Sequence, residues 1–119
     1  MIDYFPEKPW ACKCGCGYDK INPELVRMLN EAREMANTPF VITSACRCEK
    51  HNKEEGGKPN SAHLTGEAVD IQAIDGKSKF IILSSLLDIG FERVGIGKTF
   101  IHADTSTSLP FPTIWLYGS

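Results

Sequence analysis

The ten residues Ser61-Ala62-His63-Leu64-Thr65-Gly66-Glu67-Ala68-Val69-Asp70, answered by Phe100-Ile101-His102-Ala103-Asp104, constrain this chain more than any other stretch. Two imidazoles and a carboxylate are the donor set that zinc takes when a fourth position stays open to water. A His followed by an Asp seven residues later, with Gly66 between them, suits a turn feeding a strand. His63 is then expected before the turn, Asp70 inside the strand and His102 on a neighbouring strand, so that all three face one pocket. Strand alternation sharpens the expectation. Ala68, Asp70 and Gln72 share one face, with Glu67, Val69 and Ile71 on the other, so Asp70 can reach an ion that Glu67 cannot. Phe100, His102 and Asp104 share a face of the later strand, His102 and Asp104 lying about 6–7 Å apart along the backbone. That separation lets one bind metal while the other contacts the bound water. A plainer use of Asp104 is to cap the turn at Thr105-Ser106.

The rest of the chain supplies the frame. Its 119 residues suffice for one domain, 1–119, with a real core. Residues 1–21, broken by Pro6, Pro9, Gly15 and Gly17, read as an arm packed onto the body. Asn22 as N-cap, Pro23 at the first helical position and Glu24 at the positive end of the dipole start a helix. Its apolar face is Leu25, Met28, Leu29, Ala32, Met35 and Ala36, and Asn37-Thr38-Pro39 ends it. Phe40-Val41-Ile42-Thr43 is a buried strand leading into Ser44-Ala45-Cys46-Arg47. Residues 49–60, His51 among them, read as an exposed loop. Glu67 to Gln72 alternates as a strand. Asp75 caps a helix over roughly Gly76 to Asp88, apolar at Phe80, Ile81, Leu83 and Leu87 and stopped by Gly90. Arg93 to Gly97 and Thr99 to Asp104 form a hairpin, and Ile114-Trp115-Leu116-Tyr117 a final edge strand. The class is α+β, a small, mainly antiparallel sheet flanked by helices.

A net charge of −2 gives no electrostatic case for nucleic acid or an anionic membrane surface. The longest apolar run, Phe80-Ile81-Ile82-Leu83, is far too short for membrane insertion. The N-terminal residues lack the basic flank and apolar core of a secretory signal, so the chain is expected to be cytoplasmic, already processed, or released by another route. A monomer is expected. Five cysteines cannot all pair. Cys12, Cys14 and Cys16 cluster, and Cys46 and Cys48 flank Arg47. A disulfide between the clusters, a structural zinc on four thiolates, and reduced buried thiols are all compatible with this spacing.

Ser44-Ala45-Cys46-Arg47 ahead of S-x-H-x-x-G-x-A-x-D at 61–70, closed by His102-Ala103-Asp104, resembles the zinc D-Ala-D-Ala carboxypeptidase and endolysin family. These are the LAS metallopeptidases, whose fold the hedgehog signalling domain shares. The match runs from about Phe40 to Asp104, and the Cys-rich arm and the helix after Asn22 are similar to small phage and prophage members. The resemblance implies a hedgehog/DD-peptidase-like fold, Zn2+ on His63, Asp70 and His102, and a peptidoglycan stem peptide as substrate. It implies a substrate-binding role for Arg47, near the scissile carbonyl or terminal carboxylate, with Ser61 also on the substrate side. Many members carry a Glu or Asp general base three residues before the last ligand, where this chain has Thr99. Asp104 is expected to take that role, with Arg47 as the second catalytic group. The place of action implied is the cell envelope or periplasm, reached by a host protein or by a phage protein released without its own signal. A zinc-stapled binding or virion module without hydrolysis is the alternative that Thr99 permits.

Overall fold

Asn22 caps as its position predicts. Its side chain accepts from the backbone N–H of Glu24 at 2.8 Å and Leu25 at 3.3 Å, and Pro23 opens α1 (Pro23–Ala36). The computed structural model describes residues 2–118. The remaining elements are β1 (Ile42–Ser44), α2 (Glu49–Glu54), a 3-10 turn over Ala62–Thr65, β2 (Ala68–Gln72), α3 (Gly76–Ile89), β3 (Arg93–Ile96), β4 (Phe100–Asp104) and β5 (Thr113–Leu116). Asp75 caps α3 by accepting from Ser78 N–H at 2.7 Å, and Gly90 closes it at φ +110°.

The strands form one mixed sheet in the order β1-β2-β4-β3-β5. Every pairing is antiparallel except β3 with β5, so the mainly antiparallel sheet expected from the sequence carries one parallel edge. Val69 and Ile71 of β2, Val94 of β3, and Ile101 and Ala103 of β4 point to one face. There they meet Leu25, Leu29 and Ala32 of α1 and Ile82 and Leu86 of α3, all almost without solvent exposure. Each such Leu or Ile contributes roughly 1.5–3 kcal/mol through burial. Phe5 and Trp10 of the arm are buried in the same core, their rings 5.2 Å apart, so the arm is part of the packing.

Three expectations change. Residues 49–54, whose composition predicts an exposed loop, are helical, and Cys48 caps α2 with its sulfur, accepting from His51 N–H at 3.4 Å. Phe80 is 73% exposed and Leu87 about half, so α3 buries Ile82, Ser85 and Leu86 instead. Met35 likewise faces solvent at the far end of α1. In both helices the apolar pattern is wider than the strip the sheet can cover.

Candidate metal centre

With the helices covering one face, the other face of the sheet is free to carry polar chemistry. Register sets one row across it: Ser44 is paired with Asp70, Asp70 with His102, His102 with Gly95, and Gly95 with Trp115. Strand alternation keeps these residues on the side away from Val69, Ile71 and Ile101. His63 reaches the row from the 3-10 turn, within a helical turn rather than ahead of it. Ser61 caps that turn, its Oγ accepting from His63 N–H at 3.2 Å, and Gly66 ends it at φ +70°. A Cβ on Gly66 would lie 2.1 Å from the carbonyl oxygen of Lys20, so both conformation and space demand glycine.

One ligand atom from each of His63, Asp70 and His102 lies within 4.8 Å of the others, and all three residues are buried. His63 Nε2 is 3.3 Å and His102 Nδ1 2.9 Å from Asp70 Oδ1. The opposite nitrogens are engaged elsewhere. His63 Nδ1 is 2.6 Å from the carbonyl oxygen of Ala45, which can only accept, so that nitrogen carries the proton. His102 Nε2 is 2.7 Å from Asp104 Oδ2. Each ring therefore turns toward Asp70 the nitrogen that its other partner leaves available to a metal ion, the arrangement that metal-ligating histidines adopt. Donor type, tautomer and convergence all fit zinc.

The electrostatics point the same way. Burial pushes the Asp70 carboxyl up, but hydrogen bonds from His102 and His63 outweigh it and hold the group well below the usual carboxylate range. Burial opposes the charged form of His102 too, yet Asp104 and Asp70 raise its pKa.

Asp104 takes a different place from the one expected of a base. Its Oδ1 accepts from Arg93 Nε at 2.7 Å and from Ser106 N–H at 3.1 Å, and its Oδ2 is held by His102 Nε2. It is 2% exposed and stands behind the imidazole, across the ring from the nitrogen that faces Asp70. Backbone spacing along a strand does not fix the distance between side chains, and here those of His102 and Asp104 turn toward each other until Nε2 and Oδ2 meet. The turn-capping use is present, through Ser106. Thr99 is exposed, precedes β4 and lies off the face that His102 occupies.

Arg47 is brought to the centre. Nε donates to Ser44 Oγ at 3.1 Å, Nη1 to Asn52 Oδ1 at 3.3 Å and Nη2 to Asp70 Oδ2 at 3.3 Å. Arg47 N–H also donates to the carbonyl of His63 at 3.0 Å. Arg47 and Ser61 line a cleft of about 690 Å³ that opens over His63, Asp70 and His102. His51 stays outside it, on α2 with Nε2 3.3 Å from Glu55.

Four contributors went unread in the sequence. Buried Asn52 holds Arg47 and donates to the Lys58 carbonyl at 2.8 Å. Arg93 orients Asp104 and lies 4.9 Å over the Trp115 ring. Trp115 and Tyr117 wall the cleft, their rings 5.4 and 6.3 Å from that of His102. A helical reading of 49–54 would have put Asn52 on the inner side of α2; the parallel pairing of β5 had no sequence signal. Among the described residues, no helix is long and apolar enough to cross a membrane.

No curated protein matches the chain. The family described as Peptidase M15 matches residues 4–104, which takes in the arm, α1, Arg47 and all three converging ligands. This chain belongs to the M15 peptidases, the zinc-dependent metallopeptidase family that its His63, Asp70 and His102 block resembles.

Proposed function

We propose that this protein is a zinc peptidase of the cell wall, hydrolysing peptidoglycan stem peptides or their cross-links as a D-alanine carboxypeptidase or an endopeptidase. The observation that carries the reading is the pair of imidazoles converging on one buried carboxylate beneath an open cleft, each with its other nitrogen held by a second partner. His63, Asp70 and His102 would hold the ion. When bound, zinc polarises the scissile carbonyl and brings the pKa of water toward about 7.

The chain's own groups do the rest. With the ion bound, Asp104 would keep the proton of His102 on Nε2 and leave the lone pair of Nδ1 to the metal. It is a positioning residue. Arg47 is a guanidinium fixed on three sides at the cleft floor. Such a cation can pair two-fold with a terminal D-alanine carboxylate or offset charge developing on the carbonyl oxygen. Ser61 shares the cleft wall and gives the substrate backbone a polar neighbour. Trp115 and Tyr117 supply an apolar side that excludes water around the stem peptide. The open sheet face backed by two helices supports a hedgehog/DD-peptidase-like fold. The substrate puts the place of work in the cell envelope.

Purified, zinc-loaded protein incubated with muropeptides tests this reading. Release of D-alanine or of uncross-linked peptide, abolished by a chelator and restored by zinc, is the expected result. No chelator-sensitive product from either cross-linked or pentapeptide substrates sinks it.

A further inference from the structure

The arm carries a second cluster that the peptidase chemistry does not use. Cys12, Cys14, Cys16 and Cys48 each offer a sulfur, and these sulfurs all lie within 4.8 Å of one another. Cys12 and Cys14 are 3.4 Å apart, Cys14 and Cys48 3.6 Å, and Cys12 and Cys48 3.9 Å. A zinc–sulfur bond of about 2.3 Å in a regular tetrahedron puts the sulfurs about 3.8 Å apart. The observed separations scatter about that edge length.

We propose that Cys12, Cys14, Cys16 and Cys48 bind a structural zinc ion, separate from the peptidase centre. The local backbone is built for it. Gly15 N–H donates to the Cys12 carbonyl at 3.2 Å, turning the chain between the cysteines, and Gly15 and Gly17 take φ of +83° and +90°. These left-handed steps let a C-x-C-x-C run, tighter than the usual knuckle spacing, fold its three sulfurs toward one point. Cys48 closes the set from the far side of the sequence. Backbone N–H groups aim at the sulfurs: that of Cys48 at Cys12 Sγ at 3.5 Å, and that of His51 at Cys48 Sγ at 3.4 Å. Cys46, buried in the core behind this loop, is left out, which accounts for the odd cysteine.

The position gives the ion a purpose. Cys48 follows Arg47 directly and caps the helix that carries Asn52. Tyr18, whose carbonyl accepts from Cys12 N–H at 2.7 Å, donates its hydroxyl to the Leu64 carbonyl in the turn that holds His63. Zinc on the thiolates thus clamps the arm against both the Arg47 loop and the His63 turn.

Metal-free, reduced protein reloaded with excess cobalt tests it. Two ions per chain are expected, with a thiolate-to-cobalt charge-transfer band in the near ultraviolet that a His2Asp site cannot produce. His63→Ala should lose one ion and keep the band; Cys14→Ser with Cys16→Ser should keep one ion and lose the band. One ion per wild-type chain without that band overturns the proposal. So does wild-type protein, prepared air-free under reducing conditions, whose mass shows these cysteines joined in disulfides. If the double serine variant fails to fold, the wild-type stoichiometry and band decide the matter alone.

Discussion

Asp104 separates two roles that a sequence cannot tell apart. As a positioning group behind His102, its replacement by Asn should weaken zinc binding by about 10–100-fold. Activity of Asp104→Asn should then recover when zinc is raised to saturation. Activity that stays lost with the metal site full, measured by metal content beside turnover, would return Asp104 to the part of base. Arg47→Lys keeps the charge but cannot hold Ser44, Asn52 and Asp70 together, since an ammonium lacks the planar fork. We expect it to retain zinc and lose most of kcat/KM; near-normal turnover would remove Arg47 from the substrate side. The titration of the metal-free site has a sign that can be checked. Asp70 and Asp104 are depressed, so their stabilisation is present above the unfolded carboxylate value near 3.9 and lost as pH falls through the folded values. His102 is raised, so its contribution is complete below about 6.5 and lost as pH rises through its folded value. Chelated protein should melt highest in mild acid and less well in alkali, and zinc should remove the alkaline loss by taking the proton's place. A melting temperature of the chelated form that climbs steadily from mild acid into alkali would contradict this.

At the scale of elements, β3 and β5 show how a strand's chemistry can depend on its neighbour. Gly95 pairs with His102 on one side and Trp115 on the other, and a Cβ there would stand 2.6 Å from both the Trp115 and Tyr117 rings. Gly95→Ala should displace these rings, costing about 1–3 kcal/mol of stability and shifting the tryptophan emission. An unchanged melting curve and spectrum would mean that β5 is not seated as described. Much of the element layer was legible: Asn22, Asp75 and Gly90 mark helix ends by chemistry that acts within one turn. The helix over 49–54 was not, because its cap is a cysteine sulfur and its residues are as polar as a loop's. The parallel placement of β5 was not legible either, since a four-residue apolar run does not say which edge it joins.

Over the whole molecule, core positions should separate cleanly from apolar residues that only look like core. Leu86→Ala, at a side chain with no exposure, should cost about 2–5 kcal/mol, while Phe80→Ala six residues earlier on α3 should stay within about 0.5 kcal/mol. Denaturant midpoints measure both, and equal losses would put Phe80 in the core. The sequence by itself determined the donor set, the helices that its caps announce and the strand faces on which Asp70 and His102 lie. Those follow from interactions between residues close in the chain and from the strict two-residue period of a strand. Only the tertiary structure decided that Asp104 stands behind His102, that Arg93, Asn52 and the β5 aromatics complete the cleft, and that four cysteine sulfurs meet beside Arg47. Each of those facts is a meeting of segments far apart in sequence, and register and packing, not local preference, select which distant side chains touch.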